Sequence, residues 1–489
     1  MIDPRFKGIR DLSDQRKEYD KYVPLWKKYI DVYSGGINMK KPEYLPKESI
    51  ETDEEYRLRF KYSYYPSYTK KVINDYTKYI FKENPIRDGL DHYINLVRFH
   101  SENGRVLSIN SFWKEFLSKK LIYGEMFIIY GHDEVSGIVL SDKIRKEKDI
   151  RFKVQVVNPI NVPVFNKDRA VISLNPSLIK YDSKTPFYME FNEHGTAYFN
   201  QRGELLSVEE SNNRKNLPIE RFVFDEDNDG NSESLIRDIA DINILIYQLS
   251  SSLMIDFKKQ TYSPFLMPVS ASLNQEFYPR YYGVTKSKNT DGNQEEKINF
   301  RLMEIMPVPE EGFEGRFLTK DTGFIDQKRD YIKSLREEIR LLSSQRFEEL
   351  KVQSGIAKYM DIEDSNMALY MLSNQTVRDE IEFWEKWFAI QGKTVPENIS
   401  IEYNQSFDIK DQEKEIEIKN NFLDKYFNVS KTATKKLLTE YLTDISTFSV
   451  REKKEIKKEV DNYVDINIKN VKENMFKGSI EQTIMEDSK

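Results

Sequence analysis

Asp225, Asp227, Asp229 and Gly230 fall in the run DEDNDGNSE, a D-x-D-x-D-G pattern. Alternate carboxylates followed by a glycine are what the first half of a calcium loop needs. Their oxygens converge on one hard cation, and the glycine supplies the sharp turn. The twelfth position, where a bidentate glutamate would close the shell, is Ile236, and the preceding stretch reads as strand rather than helix. The plainer and favoured reading of the same carboxylates is an acidic turn facing the positive end of the following helix. With Mg²⁺ they would be the centre of a metal-dependent nuclease, whose mark is cleavage abolished by Asp227→Ala. Gly392-Lys393-Thr394 looks like the end of a phosphate loop, but Trp387 stands where the earlier glycine is required and a helix precedes it. That excludes a nucleotide-driven motor of this type. His92, His100, His132 and His194 have no metal spacing, and no nucleophile–base pattern stands out. No catalysis, resident metal or cofactor is expected.

A second charged pattern lies between Phe324 and Phe347. Arg329, Lys333, Arg336 and Arg340 recur at i, i+4, i+7 and i+11, so on a helix they share one face. Lining a channel, such a ladder would meet phosphates without reading sequence. Otherwise it is a solvated face, paired with Asp330, Glu337 and Glu338 of the same or a neighbouring chain; charge stripes are commonplace on long helices. Beside it, Ile332, Leu335, Ile339 and Leu342 form a packing stripe at heptad spacing.

The elements that must position these groups are long helices. Asn231–Pro264 reads as one, with Ser232 or Ser234 as its cap and a proline stop. Leu235, Ile239, Ile242, Ile246, Leu249, Leu253 and Phe257 recur every three or four residues, and Ile236, Ile244, Leu245 and Met254 widen the apolar surface. A helix of about 30 residues spans roughly 45 Å. Apolar surface on more than one side demands more than one neighbour, in a bundle or a subunit interface. Ile242, Leu249 and Leu253, with Ile332, Leu335 and Ile339 on the second helix, are the expected packing residues.

At 489 residues the chain is long enough for two to four domains. Thirty Tyr and 29 Phe suit interfaces as well as cores. The lack of cysteine removes disulfide frameworks, zinc ribbons and thiol chemistry. A net charge of −6 argues against a tight static grip on duplex DNA, though not against a conduit through which DNA slides. MIDPRFKGIRD lacks a signal-peptide core, and runs such as MFIIY at Met126–Tyr130 are too short to span a bilayer, so no membrane partner is expected.

In chain order, Asp14–Tyr33 is an amphipathic helix that Pro24 kinks or restarts. Lys41–Phe60 reads as an extended loop with two prolines, followed by a helix bearing Tyr68, Val72, Tyr76, Tyr79 and Ile80 on one side. Ser111–Tyr123 is a helix, Gly124 a turn, and a strand follows. Arg151–Phe165, Ala170–Leu174, Phe187–Asn192 and Thr196–Asn200 are β-rich runs of an antiparallel sheet, the last two joined as a hairpin at Glu193–Gly195. Pro218–Phe224 is a strand leading directly into the long helix. Pro264–Val269 and Ile298–Val308 read as strands around a polar, turn-rich Gly283–Lys297. A second long helix begins near Phe324 and a third spans Ile356–Ile390, joined by a short loop at Arg346–Ser354. The rest starts strand-like at NISIEYN and is then helical and charged. The predicted class is α+β.

This layout resembles that of bacteriophage portal proteins, and particular residues sharpen the likeness. Tyr44–Pro85 is similar to a portal N-terminal signature: a YLP-x-E segment, Tyr56-x-x-Arg59, an aromatic-rich helix and a Phe-Lys-x-x-Pro exit. Ile236–Ser270 resembles the first portal stem helix, with the Asp238-Ile-Ala-x-Ile-Asn243 core and an aromatic and proline exit. The likeness covers Tyr44–Ile390. It implies a portal fold: a β-rich wing from residues 1–231, a first stem helix 232–263, a small α/β clip 264–323 and a second stem helix 324–345. A tunnel loop 346–355, a long kinked wing helix 356–392 and a helical wing end and crown 393–489 complete it. Arg346, Lys351 and Gln353 of the tunnel loop would stand nearest the DNA. Such proteins form rings, usually homododecamers, at one capsid vertex of the virion, assembling in the host cytoplasm. The implied partners are further copies of the chain, double-stranded DNA in the channel, the terminase large subunit, a head–tail connector or adaptor, and a scaffold or major capsid protein. The alternatives are another head–tail connector component or the nuclease built on Asp225–Asp229.

Overall fold

The computed structural model describes residues 5–8, 16, 19–49, 51–132, 151–174, 186–210, 216–226, 230–261, 265–269, 283–288, 294–299, 305–309, 316–317, 323–343, 355–396, 398–405, 407 and helical positions between 435 and 464; for 258–317 and 355–364 it describes the backbone. The elements run α1 (Tyr19–Ser34), α2 (Asp53–Tyr62), α3 (Tyr68–Ile80), β1 (Ile86–Asp88), the single turn α4 (Asp91–Ile94), β2 (Val97–His100), β3 (Val106–Leu107), α5 (Ile109–Tyr123) and β4 (Glu125–His132). Then come β5 (Phe152–Val157), β6 (Val164–Phe165), β7 (Arg169–Ser173), β8 (Tyr188–Asn192), β9 (Gly195–Phe199), β10 (Leu205–Glu210), β11 (Ile219–Val223), β12 (Asp225–Glu226) and β13 (Ser232–Glu233). The long helix α6 (Arg237–Thr261) leads to β14 (Phe265–Val269), β15 (Gly283–Lys288), β16 (Gln294–Asn299), β17 (Ile305–Pro309) and β18 (Arg316–Phe317). Last are α7 (Gly323–Leu342), α8 (Gly355–Ile390) and β19 (Ser400–Glu402). The class is α+β, and the chain divides into two compact units, one of residues 1–27, 72–235 and 344–489, the other of 28–71 and 236–343.

In the first unit, α5 is capped at its start by Ser108, whose side chain accepts from the Ser111 N–H, and ends at Gly124 in the left-handed region (φ 83°). A Cβ on Gly124 would lie 2.6 Å from the Glu233 carbonyl, so only glycine fits. The strand that follows, β4, is an inner strand of a five-stranded sheet ordered β11-β4-β5-β2-β3, in which β2 and β5 are parallel and the other pairs antiparallel. A second five-stranded sheet, β10-β9-β8-β7-β6, is antiparallel throughout. Its β8–β9 hairpin turns through Glu193-His194, with Asn192 opposite Gly195. Phe127, Val157 and Ile219 of the first sheet meet Ala170, Ile172 and Phe191 of the second in one core. Aromatic packing joins α5 to α8: Trp113 stands edge-on to Phe383 at 5.6 Å, and Phe383 to Trp384 at 5.1 Å. β19 pairs with β1, bringing the strand-like NISIEYN segment back to the start of the unit.

In the second unit, α2 occupies much of the stretch expected as an extended loop. Thr52 and Glu55 form a reciprocal capping box, and Glu55 with Asp53 and Glu54 puts negative charge on the first turn. The segment is helical because its ends are satisfied locally, not because it has an apolar stripe. β14 lies between β17, to which it is parallel, and β18, to which it is antiparallel. β15 and β16 pair as a hairpin where the sequence suggests only a polar, turn-rich connection.

Two further expectations fail where α6 begins. Ser232 is not a cap but part of the β12–β13 ladder, opposite Glu226, so a small hairpin intervenes between β11 and the helix. Ser234 donates its hydroxyl to the carbonyls of Leu121 and Ile122, which makes it a tie to α5 rather than a cap. Pro24 neither breaks nor starts α1, which runs through it.

Candidate functional site on the paired helices

Within the second unit, α6 and α7 pack antiparallel, the end of one against the start of the other. Lys328 Nζ lies 2.6 Å from an Asp256 carboxylate oxygen and 3.0 Å from Ser252 Oγ, and the Arg329 guanidinium sits 4.8 Å from the Phe257 ring centre. Ile325, Ile332, Leu335 and Ile339 form the buried seam of α7. On α6, Ile239, Ala240, Ile246 and Tyr247 are buried, whereas Ile242, Leu249 and Leu253 are only half-buried. α7 leaves Phe324, Tyr331, Leu341 and Leu342 exposed, at 48–54 %. At about 100° per residue, Phe324, Tyr331 and Leu342 fall within roughly 20° of one line beside the seam.

The basic stripe lies on the other flank of that seam. Arg329 pairs with Asp326 at 3.6 Å, Lys333 with Asp330 at 3.0 Å and Arg340 with Glu337 at 2.8 Å, each a carboxylate three residues earlier. Arg336 lies over the Tyr68 ring at 5.6 Å. Exposed pairs of this kind contribute little stability and exchange partners readily. Arg346, Lys351 and Gln353 lie outside the described residues.

The portal-like signature residues turn out to be joints that hold residues 40–69 to α6. Arg59, buried, grips Glu51 with two nitrogens, Nε to Oε1 at 2.7 Å and an Nη to Oε2 at 2.8 Å, and donates to the Pro46 carbonyl. Tyr56 donates its hydroxyl to the Leu45 carbonyl. The Tyr44 phenol donates to Asp31, and burial beside that carboxylate raises its pKa. Lys40 places its ammonium on the Phe60 and Ser63 carbonyls at the end of α2, each at 2.6 Å. From α6, Gln248 donates to the Tyr44 carbonyl and the Tyr247 hydroxyl meets Ser63 Oγ at 2.8 Å. Asn243, fully buried, accepts from the Thr69 N–H and donates to the Pro66 carbonyl. These bonds explain why residues 28–71 group with the helix pair, although the resemblance places that stretch in a wing.

Asp225 is exposed and opposite Glu233 in the small ladder. Asp227 and Asp229 lie outside the described residues, and among the described residues no three His, Asp or Glu stand together as a metal would need. Gly392, with φ 64°, follows the end of α8, where Lys393 N–H bonds the Phe388 carbonyl; that is a helix terminus. Sequence reasoning missed the buried ion pairs of the first unit. Lys120, with no exposure, meets Asp379 at 2.5 Å, and burial raises that carboxyl to about 6. Arg87 holds Glu380, which also accepts from the Tyr403 hydroxyl. Glu125 is shared between Arg16 and Arg221. A lysine inside SFWKEFLSKKLIY gives no local signal of such a fate.

No family model matches the chain, and no curated protein matches it. Among solved structures it is similar to a chain in the neck of a native GTA particle computed with C12 symmetry, at TM-score 0.38 and 11% identity, over 75% of this chain and 88% of that one. A chain from the virion of a native gene transfer agent particle gives TM-score 0.35 and 11% identity over 73% and 84%. One in the neck of an empty GTA particle computed with C6 symmetry gives 0.38 and 11% over 75% and 88%. These likenesses are too slight to carry an argument about fold or function.

Proposed function

We propose that this chain is a portal-type subunit: copies form a ring at one capsid vertex, the channel through which DNA is packaged and ejected. One observation carries the reading. The antiparallel pair α6–α7 keeps apolar surface after its own unit is folded, in half-buried Ile242, Leu249 and Leu253 and exposed Phe324, Tyr331, Leu341 and Leu342. Helices with a second apolar side need a second partner, and identical copies around an axis supply it. The portal-like residues support the same reading, since Tyr44, Ser63, Pro66 and Thr69 of the first stretch bond to the long helix of the second. In this role the chain is a structural conduit without catalysis or cofactor. Arg346, Lys351 and Gln353 meet DNA phosphates in passing, and the basic stripe of α7 faces the channel or the next subunit. The terminase large subunit, a head–tail adaptor and a scaffold or major capsid protein are its partners. Light scattering with negative-stain imaging of purified protein tests this. Rings with a central hole wide enough for duplex DNA are expected, and a monomer at every concentration overturns it.

A further inference from the structure

Bonds to the long helix account for Tyr44, Ser63, Pro66 and Thr69, but not for the surface that the same unit turns to solvent. Ile37 and Tyr64 are 85 % and 77 % exposed, more than any other large hydrophobic side chain among the described residues. One such side chain on a surface is ordinary. These two are presented together. The Tyr65 hydroxyl donates to the Val32 carbonyl at 2.9 Å, and Lys40 Nζ donates to the Ser63 carbonyl at 2.6 Å and to its Oγ at 2.7 Å. Residues 32–40 are thus fastened at both ends to residues 63–65, with Ile37 between the two fastenings and Tyr64 between their partners.

The turn that carries Ile37 is fixed outward. Gly35 and Gly36 have φ 62° and 58°, left-handed values that end α1 and reverse the chain. A Cβ on Gly35 would stand 2.7 Å from Ser67 Oγ. Met39, fully buried, anchors the inner side of the single 3-10 turn Gly36–Met39. An apolar side chain held out in this way is a preformed anchor, with little freedom left to lose on binding.

Cations rim the anchors. From Tyr56 to Asn74 the sequence holds no Asp or Glu, but it holds Arg57, Arg59, Lys61, Lys70 and Lys71. The flanking acids are occupied, Glu51 by Arg59 and Asp31 by Lys41. Arg57, Lys61 and Lys70 are exposed. Arg57 and Lys61, four residues apart on α2, share one face. The Lys61 ammonium lies over the Tyr62 ring at 5.3 Å and that of Lys70 over the Tyr33 ring at 5.9 Å; neither has a carboxylate partner among the described residues.

Positive charge around apolar anchors complements an acidic polypeptide that carries apolar side chains of its own. Duplex DNA fits less well, because an aliphatic anchor gains nothing from phosphate and the chain's net charge of −6 opposes a close grip. We infer that the surface of Ile37, Tyr64, Arg57, Lys61 and Lys70 docks an acidic, apolar-bearing segment of a partner protein. The inference does not depend on the ring reading.

Fluorescence anisotropy on the full-length protein tests it, with a labelled glutamate-rich copolymer of glutamate and tyrosine as probe. Saturable binding that weakens with salt is expected, and polyglutamate of the same length should bind roughly tenfold more weakly. The double variant Ile37→Ser/Tyr64→Ser should melt like wild type and bind the copolymer roughly tenfold or more weakly. Lys61→Glu/Lys70→Glu, which leaves both anchors in place, should lose binding to a similar degree. Absence of saturable binding, polyglutamate binding as tightly as the copolymer, or wild-type affinity in either double variant overturns the inference. Duplex DNA that binds more tightly than the copolymer and is lost in both variants makes this a nucleic-acid surface instead. Loss of multimers in the Ile37→Ser/Tyr64→Ser variant means that a second copy covers the anchors, and it overturns the assignment as well.

Discussion

Two of the buried ion pairs of the first unit share one helix. Along α8, Asp379 meets Lys120 of α5 and Glu380 meets Arg87 of β1, so two other elements are held to it by ions rather than by apolar contact alone. Removing one member leaves the other charged and dry. Lys120→Met is expected to lower stability by about 3–5 kcal/mol, whereas Lys120→Met with Asp379→Leu costs much less; urea unfolding of both variants is the check. Glu220 of β11 is a different case. Burial raises its carboxyl from 4.5 to about 7, against the pull of Lys386 and the Tyr130 hydroxyl and with the push of Glu382 and Glu385. Because the folded pKa lies above the unfolded one, the ionised form opposes folding. That cost is absent below about 4.5, grows with pH and is complete above about 7. Glu220→Gln keeps an acceptor for Tyr130 and removes the charge. The variant should therefore melt higher than wild type at pH 8 and alike at pH 4.5; an equal difference at both values contradicts the assignment.

Elements differ in how far they announce themselves, and α2 shows why. Its amphipathicity is carried by Tyr56, Arg59 and Phe60, with a guanidinium at the buried position, so a search for apolar periodicity passes over it. The capping box Thr52-x-x-Glu55 was the legible signal, and it decides the start of the helix. Thr52→Ala should cost about 1 kcal/mol, measurable as a lower unfolding midpoint, with Thr52→Ser recovering most of the loss. By contrast α5, the β8–β9 hairpin, α7 and α8 stand where their periodicity and turn residues put them, because those signals are local. The parallel β2–β5 pairing, the β12–β13 hairpin ahead of α6 and the Lys120–Asp379 pair were not legible. The first and last depend on partners far along the chain, 259 residues apart for the ion pair, while the hairpin pairs Asp225 with Glu233 and Glu226 with Ser232 in a run without apolar alternation. At the candidate site, the seam Ile332, Leu335 and Ile339 could be read from heptad spacing. That Tyr44, Arg59 and Asn243 act as joints could not, since their partners, the Asp31 and Glu51 carboxylates and the backbone of Pro66 and Thr69, share no periodic pattern with them.

At the scale of the whole molecule, fold and association can be separated by choosing residues that serve one and not the other. Asn243, Tyr247 and the Ile332–Ile339 seam are buried inside their own unit, so damage there disturbs both. Tyr331 is 50 % exposed and Leu342 48 %, and the two lie along one line of α7 beside the seam. Replacing both with glutamate adds charge where the single chain already meets water, so its melting temperature should move by no more than a surface substitution does. In the proposed ring that line would face the next copy, and a carboxylate buried there without a partner would oppose association by roughly 2–5 kcal/mol for each. Light scattering on the double variant should then show monomers that melt like wild-type monomers, at concentrations where wild type is multimeric. Multimers at wild-type yield would place the subunit contact elsewhere on the chain and remove this face from it. A similar variant on the basic flank, Lys333→Ala, should leave assembly intact, because Lys333 is paired within its own helix to Asp330.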